Sequence, residues 1–167
     1  LREDAPVFQL AQLNIARMLA PLDSLQMVDF MNGLAEINAL AEKTPGFVWR
    51  LTTPAGDATA LRPFDDPALI VNMSVWESLD VLYQYVYYSD HTDFFRRRAE
   101  WFSKMETPAT ALWWIPAGHI PSLDEAKEKL DLFLTKTPRL LNDLLTVTGF
   151  KTRRDDGNGG EIKSARF

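Results

Sequence analysis

The spacing of apolar residues changes period several times along the chain, and the order of those changes limits the fold more than any single residue does. Val7 to Ile15 alternates β-forming side chains with polar ones, as a half-buried strand does. Pro21, Asp23 and Ser24 mark a helix start. Met27, Phe30, Met31, Leu34, Ile37 and Ala41 then recur at helical spacing over residues 24–43, and Pro45-Gly46 stops them. Phe47 to Thr53 is a second strand. Residues 54–68, with Pro54, Gly56, Pro63 and Pro67, form a connection of the length that often carries function. Leu69 to Trp76 is the third strand. Helical spacing returns at Leu79, Leu82 and Val86 and, after Ser89-Asp90, at Phe94, Arg98, Trp101 and Met105. Ala109 to Ile115 is a fourth strand. Ser122 and Glu125 make a capping box ahead of Ala126, Leu130, Phe133 and Leu134. Leu140, Leu141, Leu144 and Leu145 predict one more helical turn or two.

Stripped of its extra helices, this order is the βαββαβ split motif: an α+β, ferredoxin-like subunit with one antiparallel sheet. The 167 residues suffice for one domain, placed at 1–150, followed by a flexible polar tail at 151–167.

Composition removes several chemistries. With no cysteine there is no thiol nucleophile, thiolate metal site or disulfide framework. A net charge of −5 argues against a nucleic-acid partner. No apolar run reaches the ~18 residues of a membrane span, and no signal-peptide core is visible, so a cytoplasmic protein without a membrane partner is expected. The only histidines are His91 and His119. No metal-ligand spacing is present, so no metal site is expected.

Strand parity sorts the side chains onto the two faces of the sheet. Ala11, Leu13, Ile15, Leu69, Val71, Met73 and Val75 are assigned to the helix-covered face. Phe8, Leu10, Gln12, Asn14, Ile70, Asn72, Ser74 and Trp76 are assigned to an open face, joined by either Trp113 or Trp114. An open face of aromatics with a few amides and a hydroxyl suits a dimer contact or a pocket wall.

Several segments also resemble a known group. Asn72-Met73-Ser74-Val75-Trp76-Glu77-Ser78-Leu79 resembles the third strand and helix start of the dimeric α/β-barrel superfamily, which includes antibiotic-biosynthesis and heme-degrading monooxygenases. Within it the chain is most similar to the family of domain of unknown function 3291. The likeness is carried by Ala11-Gln12-Leu13-Asn14-Ile15-Ala16, by Pro45-Gly46-Phe47-Val48-Trp49-Arg50-Leu51, and by His91 with Arg96-Arg97-Arg98 and Trp101-Phe102. It is carried again by Leu112-Trp113-Trp114-Ile115-Pro116-Ala117-Gly118-His119-Ile120-Pro121. The resemblance implies two ferredoxin-like subunits joined sheet to sheet in a barrel, and so a homodimer. It implies no settled reaction. In the heme-degrading relatives a strand-one Asn, a strand-three Trp and a helical His line the cavity. Asn14 and Trp76 match the first two, while His91 sits too near its helix start to match the third.

The expected function is a small-molecule enzyme of secondary metabolism, acting on an apolar aromatic or polyketide-like compound in the barrel cavity. It would be a cofactor-independent oxygenase, an isomerase or a cyclase. His91 and Asn14 are the candidate catalytic residues, the first for proton transfer and the second for holding an oxygen. Trp49, Asn72, Ser74, Trp76, Arg98, Trp101, Trp114 and His119 are the candidate substrate contacts. No cofactor is expected. The alternatives are a heme or hydrophobic-ligand binder without catalysis, and a structural homodimeric module.

Overall fold

β1 (Phe8–Met18) ties the sheet together, because other strands pair with both of its edges. The computed structural model describes residues 7–135, apart from Asp90 and Pro108. The expected turns at Leu140 to Leu145 and the tail at 151–167 lie outside the described residues. After β1 come α1 (Val28–Lys43), β2 (Phe47–Arg50), β3 (Leu69–Trp76), α2 (Leu79–Tyr88), α3 (His91–Arg96), β4 (Phe102–Ser103), β5 (Thr110–Pro116) and α4 (Leu123–Thr135). Every pairing is antiparallel. β3 runs along one edge of β1 and β2 lies outside β3. β5 takes the other edge of β1 from Phe8 to Asn14, and the short β4 takes its end at Arg17 and Met18. Leaving β4 aside, the order β2-β3-β1-β5 is that of the split βαββαβ motif.

Local chemistry sets the joints. Ser78 Oγ accepts from the Val81 amide at 3.3 Å and opens α2. Gly46 sits at φ +87°, and a Cβ there would come within 2.8 Å of Val81. Glycine is therefore required, and it lets the Glu77 amide donate to Gly46 O at 2.8 Å. The end of α1 is thus tied to the start of α2. Ser24 precedes α1 in an extended conformation, but a 3-10 turn (Leu25–Met27) intervenes and the Ser24 hydroxyl caps nothing. The expected long helix from Phe94 to Met105 is also interrupted: α3 ends at Arg96, a 3-10 turn follows, and the chain then enters β4.

Parity groups the residues correctly, but the two faces are exchanged. The helices α1 and α2 lie over Leu10 and Trp76 through Ala41, Leu82, Tyr85 and Val86. The N-terminal half of α1, with Phe94 of α3, lies over Ile70 through Phe30 and Trp101. The face expected to be open is therefore the one that bears these helices. The opposite face, with Ala11, Leu13, Ile15, Val71, Met73 and Val75, is buried under α4 and residues 51–64, through Ala126, Leu130, Leu61 and Phe64. Alternation alone cannot choose between the faces.

Both faces thus carry packed elements of the same chain, and the helix-bearing one stays open at Asn72 and on the β5 side at Phe8 and Trp114. Uncovering the other would expose several large side chains at about 1.5–3 kcal/mol each. A second copy approaching that side meets α4 and the 51–64 connection, not bare strands. No helix among the described residues is long and apolar enough to cross a membrane.

Candidate functional site

A polar band crosses the helix-bearing face between its two apolar clusters. In one row Gln12 lies between Ser74 of β3 and Leu112 of β5; in the next, Asn14 lies between Asn72 and Thr110. Antiparallel partners point to the same side, so these side chains form one patch. Leu10 and Trp76 bound it at one end, Ala16 and Ile70 at the other. Asn72 is the one exposed residue of β3, whose other seven are buried. Solvent therefore reaches the sheet at this row.

Hydrogen bonds orient the amides of the band. The Trp76 indole N–H donates to Ser74 Oγ at 2.8 Å, and the Ser74 hydroxyl donates to Gln12 Oε1 at 3.0 Å. An indole nitrogen only donates, so Ser74 must find an acceptor for its own hydrogen elsewhere. Ser74 is buried, and Gln12 Oε1 is that acceptor. Turning the Gln12 amide over would strand the buried hydroxyl, at about 1–3 kcal/mol. Gln12 is therefore held with its NH2 group directed away from Ser74. Thr110 Oγ1 donates to Asn14 Oδ1 at 3.1 Å, which leaves the Asn14 NH2 likewise outward. Neither NH2 meets an acceptor among the described residues. The band thus offers two oriented N–H2 donors beside the exposed amide of Asn72.

Trp76 is buried, with Phe47 edge-on at 5.2 Å and Tyr85 tilted over it at 4.9 Å between ring centroids. Tyr85 in turn donates from its hydroxyl to Ile37 O of α1 at 3.2 Å, and its burial pushes the phenol well above its usual range, against a smaller lowering by Arg50. This packing leaves no room for a macrocycle stacked on Trp76, so these residues do not fit a heme.

The sequence candidates separate into several places. Asn14, Asn72, Ser74 and Trp76 come together in the band or beneath it. Trp114 shares their face, in the row of Leu10, and is 40% exposed at the β5 side. Trp49 does not join them. A bulge between Phe47 and Trp49 shifts the register, so Trp49 pairs with Val75 and packs in the core under α4. Trp101 is buried among Phe30 and Phe94 instead of standing on a helix face beside Arg98. Arg98 lies 4.2 Å over the Phe95 ring and donates to Phe95 O, on the surface. His91 opens α3, and its side chain lies outside the described residues.

His119 belongs to a different cluster. Its Nε2 lies 2.7 Å from Glu125 Oε2, while the Trp113 indole donates to Glu125 Oε1 at 2.8 Å. Ser122 Oγ accepts from the Glu125 amide at 3.1 Å, so that half of the expected capping box is present. The Glu125 carboxylate is used for Trp113 and His119 instead of reaching back. Burial alone would raise its pKa, but the hydrogen bonds from His119 and Trp113, with the charges of His119 and Lys129, hold it below its ordinary value.

A groove of about 230 Å³ lies between α1 and α3, floored by Gly33, Ile37, Leu40 and Phe94 and rimmed by Glu36, Asp93 and Arg97. Arg97 is already committed: it donates to Asp29 at 2.6 Å and to Glu100 at 2.9 and 3.0 Å, and stands over Trp101. No cluster of three or more metal-ligating side chains occurs among the described residues.

Gln12 enters the sequence reading only as a polar face residue, and Thr110 does not enter it.

The model of the family described as domain of unknown function (DUF3291) matches residues 9–139. The chain belongs to this family. No curated protein matches it. Among solved structures, a conserved protein from Methanosarcina mazei Go1 superposes with a TM-score of 0.47 at 15% identity, over 66% of this chain and 93% of that one. SnoaB, a cofactor-independent oxygenase from Streptomyces nogalater, gives 0.41 at 16% identity, over 71% of this chain and 98% of its own. A putative antibiotic biosynthesis monooxygenase from Nitrosomonas europaea gives 0.43 at 11% identity, over 71% and 97%. Within this DUF3291 domain, the band described above is the place where amide donors and solvent meet on the sheet.

Proposed function

We propose that this DUF3291 protein binds a small aromatic or polyketide-like molecule carrying oxygen, at the band formed by Gln12, Asn14, Asn72 and Ser74. One observation carries the reading: Asn72 is exposed in the middle of a buried strand, beside amide donors that no group among the described residues uses. Ligand sites are mostly apolar with a few placed polar groups. Trp114, on the same face and 40% exposed, supplies the apolar part.

The catalytic version of this reading is a cofactor-independent oxygenase, isomerase or cyclase. The described residues of the band are amides and hydroxyls, with no acid or base among them. Their chemical contribution would be to hold the oxygen of a substrate that loses a proton, where preorganised N–H donors stabilise developing charge. His91 is the residue this reading assigns to proton transfer. A homodimer is also part of it, with a second copy covering Phe8 and Trp114, which are 48% and 40% exposed on the β5 side.

The test is calorimetric titration of a panel of naphthols and naphthoquinones into the protein and into Asn14→Leu. Micromolar binding that weakens about tenfold or more in the variant is expected, since a hydrogen bond to a half-buried, oriented donor is lost. Equal affinity for both proteins would place the ligand elsewhere. Sedimentation equilibrium at several concentrations checks the dimer, and a strictly monomeric species removes that part of the reading.

A further inference from the structure

We infer that Trp76 and Ser74 are positioning residues that lock the amide of Gln12 with its donor face toward the ligand, so that the site selects an anionic oxygen, an enolate or phenolate, over a neutral ether. The inference rests on the binding reading above and deepens it. A free glutamine offers either end of its amide and so discriminates little between donors and acceptors. Gln12 has no such freedom. The Trp76 indole fills one acceptor site of Ser74, and Ser74 spends its only hydrogen on Gln12 Oε1. The order of donors is fixed from the core outward: indole N–H, hydroxyl, amide oxygen, and last the amide N–H2. Asn14, fixed by Thr110, adds a second donor of the same sense in the adjacent row. N–H donors to a charged oxygen make hydrogen bonds about twice as strong as to a neutral one.

Charged groups near the band need separating from this effect. Arg50 shares the row of Ser74, but its guanidinium is bonded to Glu42 of α1 at 2.8 Å. Tyr85 contacts Trp76 from α2, and its hydroxyl is used on Ile37. On β5, Thr110 and Leu112 are uncharged.

The experiment compares two probes of nearly equal shape in one buffer, well above the pKa of the phenol: 4-nitrophenolate and 4-nitroanisole. The wild-type protein is expected to bind the phenolate about tenfold more tightly. Gln12→Leu is expected to lower that ratio about threefold or more, and Gln12→Leu with Asn14→Leu to bring it close to one. Ser74→Ala, which frees the amide to turn, is expected to reduce the ratio as well. Gln12 is half-exposed on its strand, so its variant keeps the test alive if Ser74→Ala fails to fold. A tenfold preference that survives in Gln12→Leu would assign it to Asn14 or to the field of Arg50 and overturn the inference. A wild-type ratio near one would overturn it while leaving the binding reading in place. If neither probe binds the wild type, the binding reading fails and this inference falls with it.

Discussion

The Trp76 indole N–H donates to Ser74 Oγ at 2.8 Å, two residues earlier on the same face of β3, and this bond joins the aromatic core to the polar band. Both groups are buried, Trp76 to 1% and Ser74 to 6% exposure. Ser74→Ala should therefore cost about 1–3 kcal/mol, because it leaves an indole donor without an acceptor in a dry setting. In a Trp76→Phe background the same substitution should cost clearly less, since no donor remains to be stranded. Urea unfolding of the four proteins in this cycle measures the coupling. Additive costs would show that the bond contributes nothing beyond packing.

Gly33 makes a second testable joint. A Cβ at this position would stand 2.4 Å from Phe94 Cε2, and the Phe94 ring packs, tilted, against Phe30 and Trp101 with centroids at 5.8 and 4.8 Å. The ring cannot move without disturbing that cluster. Gly33→Ala, normally favourable in a helix interior by up to about 1 kcal/mol, should instead destabilise by about 1–3 kcal/mol through overpacking. In a Phe94→Leu background the sign should revert toward stabilisation. Thermal unfolding followed by circular dichroism reads both, and an unconditional gain for Gly33→Ala would contradict the packing argument.

Glu125 gives the fold an acid-sensitive contact. Its carboxylate is held below its ordinary pKa by His119 and Trp113, so the folded state prefers it ionised. The stability it contributes is present above the unfolded carboxylate value of about 4.3 and is lost as pH falls through the lower folded value. The group is partly exposed, so solvent screening keeps the effect small. Glu125→Gln should lower the urea midpoint near neutral pH, and the gap to wild type should close progressively below about pH 4. A gap independent of pH would mean that the carboxylate charge is irrelevant to how α4 seats.

Much of this architecture can be read from residue order, and the reasons for the misreadings are local. Alternation delimits β3 at Leu69–Trp76 and divides its residues into the two sets that the structure shows. Which set would carry the helices was not legible, because alternation is symmetric and both sets are apolar enough to be buried. Trp49 was lost to one bulge, which inverts every side chain beyond it. Trp101 and Arg98 were joined by an apparent helical spacing that a 3-10 turn breaks. His119 is legible only as a candidate substrate contact, and its carboxylate partner is not, since a capping-box glutamate is expected to turn back to its own helix. The band itself was legible residue by residue as Asn14, Asn72 and Ser74. The orientation of its donors was not, because that depends on an indole and two hydroxyls brought into register across three strands.

Asn72 is where stability and binding should part company. Asparagine is unfavourable in a strand interior, and the measured scale for such positions spans about 1 kcal/mol. Asn72 makes no hydrogen bond among the described residues that would offset this, and its side chain is exposed between buried neighbours. Asn72→Val should leave the unfolding temperature unchanged or raise it by a few degrees. The same variant should weaken ligand binding, because a branched apolar side chain replaces an amide in the row that faces Asn14. Parallel thermal unfolding and titration with the naphthol panel separate the two effects. A loss of stability would show that Asn72 serves the fold, and retained affinity would remove it from the site.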